Sequence, residues 1–241
     1  MPITIASAAP IRQPFPDAAR SLTSLLAPLE RTALVWLARR MPRRVNSDHL
    51  TAVALVAMLL AGASYWLASV TRVGLLLAVV CLAINWFGDS LDGTLARVRQ
   101  QQRPRYGFYV DHVVDTFGGL LLLGGLALSG YMSALLALGL LVSYLMLSVE
   151  AFLATQALGT FKMSYFGVGP TELRILLAVG NLALWLHPTA NLWGHRYRLF
   201  DVGGAVGIAG LLFTLLFAAA RNTRTLYRAE PIPHTPARQW R

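Results

Sequence analysis

Four aspartates, Asp89, Asp92, Asp111 and Asp115, fall within 27 residues of a chain that carries only 11 acidic residues in all. They lie in or beside apolar stretches long enough to be membrane helices. There an ionised carboxylate costs at least ~2.5 kcal/mol on insertion scales, and like charges brought together cost more unless a cation neutralises them. Clustered carboxylates without thiol or imidazole partners suit Mg²⁺ or Mn²⁺, hard cations that commonly hold phosphate oxygens. The chemistry to which these residue types point is therefore metal-assisted work on a phosphate-bearing substrate.

Helix geometry says where the carboxylates point. Asp89 and Asp92 are three residues apart, with Gly93 and Ala96 on the same face, and Asp111 and Asp115 are four apart on the next helix. A hairpin of two helices thus converges four hard oxygen donors on one site. Gly88, Gly93 and Ala96 on one helix, and Gly118 and Gly119 on the other, permit close helix contact or backbone approach to a ligand.

The elements that must position these residues are membrane spans. The chain is 56% hydrophobic and 13% charged, and its mean hydropathy is positive, outside what a water-soluble domain of this length needs. Stretches of roughly 20 apolar residues lie near Leu50 to Val70, Val73 to Ala96, Phe108 to Ser129, Met132 to Leu158, Glu172 to Leu186 and Val202 to Ala220, the fifth being the shortest. The fold class expected is an all-α integral membrane protein of six transmembrane helices with an N-terminal interfacial helix. That helix is read from Leu29, Ala33, Leu34, Trp36 and Leu37 alternating with Glu30, Arg31, Arg39 and Arg40 after Pro28. The organisation expected is an arm over 1–46, a membrane domain over 47–221 and a basic, irregular tail over 222–241, with Pro231, Pro233 and Pro236.

The formal net charge is +10, but the basic residues flank apolar segments instead of forming a stripe with interleaved aromatics, which argues against nucleic acid. With six spans both termini share one side. Seven arginines of the arm, Arg97, Arg99, Arg103, Arg105, Lys162 and the arginines of the tail lie on that side, against Arg72, Arg196 and Arg198 on the other. The positive-inside rule makes the first side cytoplasmic, the expectation for a protein of the bacterial plasma membrane with its site on the cytoplasmic face. No N-terminal signal peptide is expected, and the single Cys81 excludes a disulfide within the chain.

At the aspartates the sequence resembles the CDP-alcohol phosphatidyltransferase family, whose signature is D-x2-D-G-x2-A-R, a variable spacer, then G-x3-D-x3-D. Here it reads Asp89, Asp92, Gly93, Ala96 and Arg97, nine residues, then Gly107, Asp111 and Asp115, with all eight specified positions met. The resemblance implies metal binding by Asp89, Asp92 and Asp111 and binding of the CDP group by Gly93 and Arg97. At Asp115 it implies a general base linked to the metal. It also implies a CDP-linked lipid donor, an alcohol acceptor, a helical-bundle architecture and a homodimer. Many members carry P-N-x-x-T entering the first span. Ser47 to Thr51 stands there, with only Thr51 matching as a substrate contact, and Asp48 is left as either a nucleotide contact or a helix cap.

Other residues have more than one reading. His112 points about 100° away from Asp111 on its helix, so packing or a hydrogen bond suits it. Glu150, Glu172 and Arg174 share the membrane face of the aspartates, either to bind the acceptor or its phosphate or to form an ion pair. Trp86, Phe87, Tyr106, Phe108 and Tyr109 read as an interfacial aromatic belt. Two rivals stand beside the transferase. Membrane prenyltransferases share N-x3-D-x2-D, here Asn85, Asp89 and Asp92, but place their two motifs far apart. A cation transporter needs polar residues through the midplane, whereas these cluster at one face. The acceptor alcohol stays open, as does a CDP-amino-alcohol donor acting on diacylglycerol.

Overall fold

The computed structural model describes residues 19–21, 26–162, 167–230 and 232. α1 (Ala27–Arg40) has proline in its first turn and Arg39 and Arg40 in its last, where the negative end of the helix dipole favours cations. α2 (Ser47–Ala68) starts at Asn46, whose side-chain oxygen accepts the His49 backbone N–H at 2.9 Å while the Asn46 N–H donates to His49 Nδ1 at 3.3 Å. This reciprocal cap belongs to Asn46 and not to Asp48. Asp48 instead forms an ion pair with Arg103 across the gap to the next hairpin.

Helices at the next four expected positions follow as α3 (Val73–Val98), α4 (Pro104–Leu128), α5 (Ala134–Leu158) and α6 (Pro170–Leu186), and α7 (Leu199–Ala229) closes the bundle. Pro104 and Pro170 occupy the first turns of α4 and α6, where a missing N–H leaves no bond unmade. Both helices therefore begin ahead of the apolar runs that mark them in the sequence. α2, α3, α4, α5 and α7 are long and apolar enough to cross a membrane. α6 has 17 residues, about 26 Å at helical rise, just short of a ~30 Å hydrocarbon core. The protein is an all-α integral membrane protein.

Short strands decorate the helices. β1 (Ala19–Ser21) pairs in parallel with β2 (Thr160–Lys162), and β3 (Thr189–Leu192) forms an antiparallel hairpin with β4 (His195–Arg198). Trp193 and Gly194 turn that hairpin with φ of +49° and +82°.

Helix approach is set by absent side chains. A Cβ on Gly125 of α4 would stand 2.1 Å from the Gly62 carbonyl oxygen of α2. On Gly88 of α3 it would stand 2.6 Å from the Leu50 carbonyl oxygen, also of α2. Gly88 thus serves close contact between helices, and it brings α3 so near α2 that residues one turn further along α3 reach the first turn of α2. The interior at the other end of the bundle is filled by Tyr65, Leu75, Leu126 and Leu184, all fully buried, and the Tyr65 hydroxyl accepts from Asn181 Nδ2 at 2.7 Å.

α1 is tied to protein on one side. Its Leu34 and Ala38 are buried with Leu50, Leu91 and Leu95, while Leu29 and Trp36 stay exposed. Glu30, expected on the solvated face, is a clamp: one carboxylate oxygen accepts from Trp86 Nε1 at 2.7 Å, Ser90 Oγ at 3.0 Å and Thr171 Oγ1 at 2.8 Å. Trp86 is accordingly committed to α1 instead of to a lipid-facing belt. The tail also differs from expectation. α7 runs on through Ala229, past the irregular start expected at Asn222, because Asn222 is buried and donates to Glu150 Oε1 of α5 at 2.7 Å. Pro231, Pro233 and Pro236 lie outside the described residues.

Candidate active site

Asp89 and Asp92 sit on the second half of α3, Asp111 and Asp115 on the first half of α4, and the loop between them keeps both pairs at one end of the bundle. Carboxylate oxygens of Asp89, Asp111 and Asp115 all lie within 4.8 Å of one another, and Asp89 and Asp111 are partly buried. Oxygens sharing one six-coordinate ion at ~2.1 Å stand about 3 Å apart when adjacent and about 4.2 Å when opposite. The trio therefore needs only small side-chain rotations to hold Mg²⁺ or Mn²⁺, and its all-oxygen donor set is the kind those ions take. The residues fit the metal.

The fourth carboxylate stands at the edge of this group. Asp92 Oδ2 accepts the Thr51 hydroxyl at 2.6 Å, its Oδ1 faces the Gly93 backbone N–H, and its main-chain oxygen accepts Ser47 Oγ at 3.0 Å. The first turn of α2 thus braces Asp92, an approach that Gly88 makes possible. Thr51, expected to touch substrate, is engaged with Asp92, so its reach toward a ligand runs through that carboxylate. Arg97, in the last turn of α3, donates from Nη2 to Thr94 Oγ1 at 3.1 Å and is solvent-exposed.

Arg174, one of three residues with two readings, enters the cluster. Its Nη2 lies 2.6 Å from Asp89 Oδ2 and its Nε donates to Asn85 Oδ1 at 2.8 Å. The other two do not join it. Glu172 accepts the Gly169 N–H at 2.9 Å as the cap of α6 and the Leu26 N–H at 3.1 Å, and Glu150 holds Asn222. His112 contacts the Phe108 carbonyl oxygen at 2.6 Å, and its ring centroid lies 4.1 Å from that of Phe108 and 4.6 Å from that of Phe152. It packs against α5 beside the cluster, with Nδ1 3.9 Å from Asp111 Oδ2.

Two residues take roles that the sequence did not assign them. Asn85, 4% exposed, donates to the Ala54 carbonyl oxygen at 3.1 Å and accepts from Arg174, so it fixes the guanidinium against α2. Its signal was present, because it stands one turn before Asp89 on the same helix face. Glu30 gave no such signal, since nothing local distinguishes an acid that reaches Trp86 and Thr171 from one that faces water.

A family model described as CDP-alcohol phosphatidyltransferase matches residues 44–216. The match runs from the loop before α2 into α7 and takes in all four aspartates. No curated protein matches the chain.

Proposed function

The chain belongs to the CDP-alcohol phosphatidyltransferase family, and from that premise we propose that it moves a phosphatidyl group from CDP-diacylglycerol to an alcohol acceptor and releases CMP. Membership makes it a membrane transferase of phospholipid synthesis that takes a CDP-alcohol donor and an acceptor. The observation that carries the finer reading is the convergence of Asp89, Asp111 and Asp115 within 4.8 Å at one end of the helices. A site at a bundle end can receive both a lipid tail and a soluble alcohol.

Asp89, Asp111 and Asp115 would hold the divalent metal, with Asp92 adjoining them. When bound, the metal neutralises the carboxylates and draws charge from the diphosphate. Arg97 would pair its guanidinium fork with phosphate oxygens of the CDP group, and the small Gly93 would let that group approach the helix backbone. Asp115 accepts the proton of the acceptor hydroxyl, the freed oxygen bonds to the β-phosphorus, and the bond from that phosphorus to the bridging oxygen breaks to release CMP. Thr51 keeps Asp92 oriented. Positioning and charge stabilisation account for most of the rate in such a transfer.

Labelled CDP-diacylglycerol offered to the purified protein with a panel of acceptors tests the reading. A labelled phospholipid that appears only with one acceptor, together with stoichiometric CMP, is the expected result. CMP from CDP-choline or CDP-ethanolamine with diacylglycerol, and none from CDP-diacylglycerol, would reverse donor and acceptor. We also propose that the site faces the cytoplasm, on the strength of the arginine count. Impermeant thiol reagents applied to intact cells should then label a cysteine placed at Gly194 and miss one placed at Gln101; the opposite pattern refutes that orientation.

A further inference from the structure

We infer that Arg174 is the resident counter-cation of the aspartate cluster, a guanidinium that a divalent metal must displace from Asp89 to load the site; the inference rests on the metal site proposed above. Arg174 comes from α6, a helix outside the two that carry the aspartates, and its Nη2 stands 2.6 Å from Asp89 Oδ2. That carboxylate is one of the three that converge. One carboxylate therefore serves two cations, which compete for its charge. The side chains are 16% and 20% exposed, so the pair is sheltered from the salt screening that weakens surface pairs.

The guanidinium is held there by more than charge. Nε donates to Asn85 Oδ1 at 2.8 Å, and the buried Asn85 is itself fixed by its bond to the Ala54 carbonyl oxygen. Yet the arrangement is incomplete. Nη1 of Arg174 is buried and has no hydrogen-bond partner among the described residues, unlike the two-pronged pairs in which arginine binds carboxylate best. A desolvated donor without a partner weakens the held state. A divalent ion brings twice the charge and also engages Asp111 and Asp115, so it can take Asp89 from Arg174. Glu172, Glu150 and Glu30 do not compete for the guanidinium, since Glu172 caps its own helix, Glu150 holds Asn222 and Glu30 accepts from Trp86, Ser90 and Thr171.

The test is Mn²⁺ affinity of the purified full-length protein in detergent, without nucleotide, from the paramagnetic resonance of the free ion. Arg174→Gln keeps much of the length and hydrogen-bonding capacity but not the charge. It should bind Mn²⁺ tighter than the unaltered protein by about ten-fold or more, the scale of one charged hydrogen bond. Arg174→Lys keeps the charge, but a single ammonium cannot span Asn85 and Asp89 as a fork does, so its affinity should fall between the two. Arg72→Gln, whose guanidinium donates to the Trp185 carbonyl oxygen at the far end of α6, should match the unaltered protein. Equal or weaker binding by Arg174→Gln overturns the inference. So does Arg174→Lys binding like the unaltered protein, which would reduce Arg174 to a remote charge; this variant also carries the test by itself if Arg174→Gln does not fold. Asp111→Asn separates the two levels. If it abolishes Mn²⁺ binding while both Arg174 variants behave as the unaltered protein does, only the role of Arg174 fails. If it leaves Mn²⁺ binding intact, the metal site lies elsewhere and both readings fail.

Discussion

Stripped of divalent metal, the purified protein is expected to release no CMP, and Asp111→Asn is expected to release almost none at saturating Mg²⁺. The reason is electrostatic. Asp89, Asp111 and Asp115 already bring three carboxylates within 4.8 Å, and a diphosphate adds further negative charge. Arg174 supplies one compensating cation, shared with Asn85. Charge stabilisation by a bound metal is worth several kcal/mol, so its loss lowers turnover by roughly 10³-fold or more at about 1.4 kcal/mol per factor of ten. Asp111 is the cleaner position to alter, because Asp89→Asn removes a ligand and releases Arg174 together. Re-addition of Mg²⁺ or Mn²⁺ should restore the chelated protein and should not restore Asp111→Asn. Full turnover after exhaustive metal removal would refute the mechanism, while Asp111→Asn activity within a few-fold of the unaltered protein would move the metal away from this trio.

The difference between three converging aspartates and four shows what helix periodicity reveals. Residues four apart differ by about 40° around a helix and residues three apart by about 60° on the other side. Asp111 and Asp115 therefore share a face in any packing. Asp89 and Asp92 straddle a broader sector, and which member turns inward depends on neighbours. Gly88 draws α2 in on the Asp92 side, where Thr51 takes its oxygen, and α6 presents Arg174 on the Asp89 side. The motif places all four on one end of the bundle, but only tertiary contact sorts them.

The same limit explains the other gaps. The spans were legible because membrane helices must satisfy their backbone internally and be apolar over a fixed length. The helical pattern of α1 was legible too, although of its expected apolar residues Leu34 lies on the buried face and Leu29, Ala33 and Trp36 are exposed. That α3 covers this face was not, because an apolar stripe says nothing of whether lipid or protein meets it. Arg174 and Asp89 are separated by 85 residues, and no local pattern encodes such a pairing. In the tail, arginine and leucine are good helix formers and no proline stands before Pro231. The prolines beyond made the whole tail read as irregular, where the Glu150 bond to Asn222 holds α7 past the apolar stretch.

Asp115→Asn should lose turnover by ~10²- to 10⁴-fold, the usual worth of a general base, while metal-dependent binding of the CDP-lipid persists. Asparagine keeps the size and hydrogen-bonding capacity of the residue and removes its ability to take a proton. Asp115 lies one turn beyond Asp111 on the same face of α4, and its oxygens are within 4.8 Å of those of Asp89 and Asp111. It is thus near enough to serve as a metal ligand as well, and the two roles predict different things. If it acts mainly as the base, Asp89 and Asp111 still hold the metal with Asp92 beside them, so binding survives and only the rate falls. If it acts mainly as a ligand, metal affinity, lipid binding and turnover fall together, and raising Mg²⁺ recovers part of each. Measuring CDP-lipid binding and CMP release on one preparation of the mutant, across a range of Mg²⁺ and with its fold verified, separates the cases. Near-normal turnover at saturating Mg²⁺ would take Asp115 out of the reaction and leave the proton to water or to the acceptor's own phosphate.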